Sequence, residues 1–176
     1  MKTNIILIGM PGCGKSTLGF LAAKQMGLQF LDTDKLLESR TGKTLSELLS
    51  EYGLTRFLAL EEETLLSLKQ THTIIATGGS AVYAAQGMQH LKTIGHCVYL
   101  SVPYSLISTR LSNLQTRGVA IAEGKSLRAL YEERSPLYEQ YADLIFHESE
   151  NRDPPSNARL LTSLLYDNLD VFNFKL

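Results

Sequence analysis

The sequence predicts an α/β domain: a parallel sheet with helices on both faces. Three observations predict it. Short apolar, β-rich runs alternate with longer stretches of helical periodicity. The crossovers between runs are long enough to hold a helix, which parallel strands require. A glycine-rich loop joins the first run to the first helical stretch.

Taken in order, the expected strands cover residues 4–8, 29–31, 73–76, 96–100 and 143–146. Between them, apolar side chains recur at i, i+3 and i+4, as in Leu45, Leu48, Leu49 and again in Leu60, Thr64, Leu65, Leu68. Thr44 followed by Glu47 reads as a capping box, and Gly27, Gly42 and Gly53 stand where helices should stop. Pro136 should break or kink the helix that carries it.

The chain has 176 residues, 44% of them hydrophobic and 20% charged, with a formal net charge of -1. One domain spanning 1–176 accommodates that length. Near-cancelling charge speaks against a basic nucleic-acid-binding protein and against an acidic disordered one. The longest clean apolar run, Ile5-Ile6-Leu7-Ile8, is far short of the roughly 20 residues of a membrane helix. The N-terminus makes a poor signal peptide. Two cysteines, Cys13 and Cys97, cannot build a disulfide framework or a four-ligand zinc site. The expectation is a cytoplasmic protein with reduced thiols, with no nucleic-acid or membrane partner.

Ligands of such sheets bind where the strands end, so the segments after the strands carry the interest. Gly9-Met10-Pro11-Gly12-Cys13-Gly14-Lys15-Ser16 fits G-x-x-x-x-G-K-[ST] between a strand and a helix. Backbone N–H groups there can curl around phosphate oxygens, and the helix N-terminus adds partial positive charge. Lys15 would reach the β- and γ-phosphates, and Ser16 would ligate Mg²⁺. The Cys13 side chain is expected to point outward. Neither D-x-x-G at the spacing of a GTPase nor N-K-x-D occurs, which leaves small-molecule and nucleotide kinases.

Asp32-Thr33-Asp34 follows the second strand. In extended chain both carboxylates share a face. Asp32 could then hold Mg²⁺, and Asp34 could accept the proton of an attacking hydroxyl. Asp34 could instead simply cap the helix starting at Lys35. Thr77-Gly78-Gly79-Ser80 ends the third strand and allows close approach of a ligand to backbone; it can equally be a turn with Ser80 as a cap. Arg110 and Arg117 flank residues 111–116, a lid-like stretch, and Arg134 could hold a substrate carboxylate. Each arginine alone can also be a surface charge.

Assembled, these residues resemble the shikimate kinase family of P-loop kinases over nearly the whole chain. The matches run in order through Gly9–Ser16, Asp32-x-Asp34, Phe57 with Glu61, Gly78-Gly79, Arg110, Arg117 and Arg134-x-Pro136-Leu137-Tyr138. The resemblance implies a P-loop NTPase three-layer sandwich with a five-stranded parallel sheet in the order 2-3-1-4-5. It implies an acceptor-binding subdomain near 33–60 and a lid near 112–125. Gly12, Cys13, Gly14, Lys15, Ser16 and Thr17 would bind the nucleotide. Arg110 and Arg152 would frame the adenine, with Arg117 the lid arginine. Lys15, Asp34 and Arg117 would be catalytic, and Ser16 and Asp32 would hold the metal. Asp34, Leu58, Gly78, Gly79, Ser80 and Arg134 would face the acceptor. The family reaction moves the γ-phosphate of ATP to the 3-hydroxyl of shikimate, with Mg²⁺, usually in a monomer.

Two departures fall on the acceptor side. Leu58 stands where the family pattern has a carboxylate-binding arginine, and Arg56 is two residues away, facing elsewhere on a helix. Ser80 replaces the third glycine after strand three. These departures keep two other readings open: a kinase of another polyol or sugar acid, gluconate-like, and a nucleotide-binding regulatory protein without transfer activity.

Overall fold

The computed structural model describes residues 2–111, 118–148 and 153–172. Five parallel strands form one sheet: β1 (Asn4–Ile8), β2 (Gln29–Asp32), β3 (Thr73–Ala76), β4 (Gly95–Ser101) and β5 (Leu144–His147). Their order is β2-β3-β1-β4-β5, as the resemblance implied. Strand ends differ from the sequence reading by a residue or so, and β5 begins at Leu144 because Asp143 turns its carboxylate onto the Cys97 N–H, 2.8 Å away.

β1 occupies the centre because its five residues are buried on both faces, which an uninterrupted apolar run permits. Asn4 secures its start. The side-chain amide donates to the Gln70 and Ile94 carbonyls at 2.7 and 2.9 Å, and its oxygen accepts from the Thr73 N–H at 3.1 Å. Three strand origins are thereby aligned, so the strand ends that carry the site share one edge.

Helices α1 (Lys15–Met26), α2 (Thr33–Thr41), α3 (Leu45–Leu66), α4 (Ala85–Ile94), α5 (Tyr104–Arg110), α6 (Leu127–Tyr141), α7 (Pro154–Asp167) and the short α8 (Leu169–Phe172) surround the sheet. The Thr44–Glu47 capping box forms at the start of α3, and Gly27 and Gly42 close α1 and α2. Gly53 does not stop its helix. It bends α3 at φ 73° and the helix resumes, because Leu48 before the bend and Phe57 after it pack into one apolar cluster. Helix α6 likewise runs on through Pro136, whose ring is exposed. That cluster (Leu37, Leu48, Phe57 and Ala120) is separate from the main core and joins α2 and α3 to the segment after Gly118. No helix among the described residues is long and apolar enough to cross a membrane.

Candidate active site

A cavity of about 510 Å³ opens at the C-terminal edge of the sheet. Gly12, Gly14, Lys15, Ser16 and Thr17 line its floor. Arg110, Glu148 and Pro154 line it from the β4–β5 side, and Asp34, Glu61, Ser80 and Arg134 from the β2–β3 side.

The phosphate loop holds its lysine close. Lys15 Nζ donates to the Gly9 and Met10 carbonyls at 2.8 and 2.9 Å and lies 3.4 Å from Cys13 Sγ. Cys13 does not point outward as expected; it is fully buried, because the loop curls its side chain against Gly9 and the Lys15 ammonium. The N–H groups at the start of α1 have no partner within the helix, the arrangement that receives anions elsewhere.

Asp32 and Asp34 do not align through extended chain. Helix α2 begins at Thr33, and it is Asp32, not Asp34, that caps it: Oδ1 accepts from the Asp34 and Lys35 N–H groups at 2.9 and 3.2 Å. Its Oδ2 accepts from Ser16 Oγ at 2.6 Å. Two hard oxygens so placed suit magnesium, which takes few protein ligands and fills its octahedron with phosphate and water. Among the described residues, no cluster of three or more His, Cys, Asp or Glu could hold a metal ion by itself.

Freed from capping, Asp34 lines the cavity. Burial, then the neighbouring Asp32, raises its pKa to about 6, with Lys15 opposing. Glu61, buried on α3, is pushed to about 8, chiefly by burial; it lies 2.5 Å from Ser80 Oγ. Ser80 therefore does not cap the 3₁₀ turn (Ala81–Tyr83) that follows it; its hydroxyl is committed to Glu61.

The glycine pair admits the protein's own groups. A Cβ on Gly78 would stand 2.4 Å from Glu61 Oε1 and 2.7 Å from Asp34 Oδ1. One on Gly79 would strike Pro11 at 2.5 Å. The absence of side chains thus lets two carboxyl groups and the phosphate loop close onto the end of β3. Tyr138 fixes the arrangement by donating from Oη to the Gly79 carbonyl at 2.6 Å.

Arg134 is 1% exposed and has no acidic ion-pair partner among the described residues. Nη2 donates to the Ala120 carbonyl at 2.5 Å and Nε to Tyr83 Oη at 3.2 Å, while Nη1 is buried without a hydrogen-bond partner among the described residues. Arg110 differs: it pairs with Glu148 through both terminal nitrogens, at 2.6 and 3.2 Å, and Nη1 also meets the Gly12 carbonyl at 3.4 Å. Leu58 is half-buried in the second apolar cluster and is not among the cavity-lining residues. Arg56 pairs on the outside with Glu63. Arg152 and residues 112–117 of the expected lid, Arg117 among them, lie outside the described residues.

Tyr83 and Glu148 escaped the sequence reading, and Glu61 and Tyr138 entered it only through the family pattern. Glu61 had a signal of its own, as a carboxylate among Phe57, Thr64 and Leu65 on the inward face of α3. Nothing local marked the tyrosines.

Comparison with known proteins agrees with this geometry. A family model described as Shikimate kinase matches residues 11–165. Shikimate kinase of Nostoc punctiforme is 38% identical over 166 residues, 92% of this chain and 90% of that protein. That of Thermodesulfovibrio yellowstonii is 36% identical over 140 residues, 78% and 81% of the two chains. Among solved structures, shikimate kinase from Acinetobacter baumannii in complex with shikimate superposes with a TM-score of 0.84 at 31% identity, covering 96% of this chain and 95% of that one. With the match running from inside the phosphate loop to the last long helix, the chain belongs to the shikimate kinase family.

Proposed function

We propose that this chain transfers the γ-phosphate of ATP to the 3-hydroxyl of shikimate. One observation carries the reading: the buried Arg134 guanidinium, unpaired by any acid and with Nη1 unpartnered among the described residues, in the wall of the cavity that Lys15, Ser16 and Asp34 also line. An uncompensated buried cation is costly and calls for an anion. A carboxylated acceptor supplies one, and family membership makes shikimate the acceptor of choice.

The two cavity carboxyls divide their labour. At neutral pH Asp34, at about 6, is ionised and can take the proton of the attacking hydroxyl. Glu61, at about 8, stays protonated and adds no negative charge beside the acceptor. Such separation of neighbouring pKa values is how acid–base roles are assigned. Lys15 and the α1 N-terminus stabilise the phosphates. Ser16 and Asp32 would hold Mg²⁺, which when bound neutralises charge on the phosphate oxygens. Arg110, braced by Glu148, frames the nucleotide end with Thr17 and Pro154; the family resemblance assigns Arg117 and Arg152 to the nucleotide as well.

A second reading rests on Leu58 and Ser80. The acceptor wall holds one guanidinium where the family pattern has two, and a charged hydrogen bond is worth about 1.5–3 kcal/mol, or roughly 10- to 150-fold in affinity. Another hydroxylated acid could suit that wall better. A coupled ADP-release assay with Mg-ATP separates the readings: saturable turnover on shikimate upholds the first, and turnover only on another hydroxy acid or polyol establishes the second. ATP binding with no acceptor-stimulated release would defeat both in favour of a regulatory protein.

A further inference from the structure

Resting on the acceptor reading above, we infer that Tyr83 is a positioning residue of this site. It holds the Arg134 guanidinium so that Nη1 is the nitrogen left to meet an anionic acceptor.

Tyr138 Oη faces that guanidinium, and Tyr83 and Ala120 hold it further. The Tyr83 ring lies under it, with Cζ 4.9 Å from the ring centroid. Tyr83 Oη accepts from Nε at 3.2 Å, and the Ala120 carbonyl accepts from Nη2. Tyr83 alone supplies both a ring face and a hydrogen bond. Stacking restricts tilt and the Nε bond restricts rotation in the plane, so the fork presents one remaining donor edge.

The phenol is itself oriented. Its O–H donates to Glu133 Oε1 at 2.5 Å, which turns an oxygen lone pair toward Nε. Glu133 is paired in turn with Lys125. Burial and the Glu133 bond raise the Tyr83 pKa, keeping the hydroxyl protonated as this geometry needs. Tyr83 also belongs to the 3₁₀ turn that starts beside Ser80, its N–H bonded to the Ser80 carbonyl at 2.9 Å. The clamp on Arg134 and the Ser80 wall therefore move as one short segment. With leucine at position 58, the acceptor carboxylate depends on Arg134 alone, and its orientation on Tyr83.

The test is Tyr83→Phe, which keeps the ring and removes Oη. We expect the shikimate KM to rise about tenfold, the low end for a hydrogen bond to a charged group, with kcat and the ATP KM changed by less than about twofold. Glu133→Gln, which loosens the phenol without deleting it, should raise the KM in the same direction by less. In an Arg134→Lys background, which has no Nε–H, Tyr83→Phe should add no further loss. A ligand-free readout accompanies these: the Arg134 Nε–H resonance, assigned by its disappearance in Arg134→Lys, should shift and broaden in Tyr83→Phe. An unchanged resonance, an unchanged shikimate KM, or an equal rise in the ATP KM each overturns the inference. If the unaltered protein fails to phosphorylate shikimate, the acceptor reading falls, and the resonance alone decides the role of Tyr83.

Discussion

Replacing Glu61 with glutamine should change how stability depends on pH. Glu61 is 7% exposed, and its pKa rises from 4.5 to about 8 on folding, mainly by burial, with Asp34 adding to the rise and the Ser80 bond and Arg134 opposing it. A carboxyl whose pKa is raised in the folded state binds its proton more tightly there. Its contribution is whole below 4.5 and is lost as pH climbs through about 8. Each pKa unit is worth about 1.4 kcal/mol, so the full loss is about 5 kcal/mol, of which about 4 falls between roughly pH 5 and pH 8.5. Glutamine keeps the shape and a partner for Ser80 but cannot titrate. Urea unfolding at both pH values should show the unaltered protein losing about 4 kcal/mol more than Glu61→Gln over that interval. Asp34 titrates in both proteins and cancels from the comparison. Parallel profiles, agreeing within about 1 kcal/mol, would refute the claim that burial keeps Glu61 protonated.

Asp34 should set the acid limb of activity: kcat/KM on shikimate falls tenfold per pH unit below about 6, and a pH–rate profile with its limb near 4 would refute the raised pKa of Asp34. Gly79→Ala places a Cβ 2.5 Å from Pro11, so the phosphate loop must shift; thermal melting should show a loss of about 1–3 kcal/mol, with a raised ATP KM in steady-state kinetics. Leu58→Arg combined with Ser80→Gly should increase kcat/KM for shikimate by about tenfold or more, and no gain would sink the assignment of these positions to the acceptor side. Ser16→Ala, which removes the hydroxyl facing Asp32 Oδ2 at 2.6 Å, should raise the magnesium concentration needed for half-maximal activity, read from a metal titration.

The sequence by itself determined the sheet, the phosphate loop and the edge at which they meet. Strand and helix periods, the Thr44 cap and the Gly9–Ser16 pattern are short-range signals, set by backbone geometry and solvent exposure within a few residues. The placement of Asp34 beside the phosphate loop followed from the rule that ligands gather at strand ends, whereas Arg134, inside α6, was assigned to the acceptor through the family resemblance. What tertiary structure decided lies in pairs far apart in the chain. Asp32 rather than Asp34 became the cap, its Oδ1 taking the α2 N–H groups while its Oδ2 takes the Ser16 hydroxyl of the phosphate loop. Gly78 and Gly79 are needed for Glu61, Asp34 and Pro11. Tyr83 found Arg134 across 51 residues of sequence. The charge state of Glu61 depends on how much water its neighbours exclude, and that desolvation is a property of packing, with no local residue pattern to announce it.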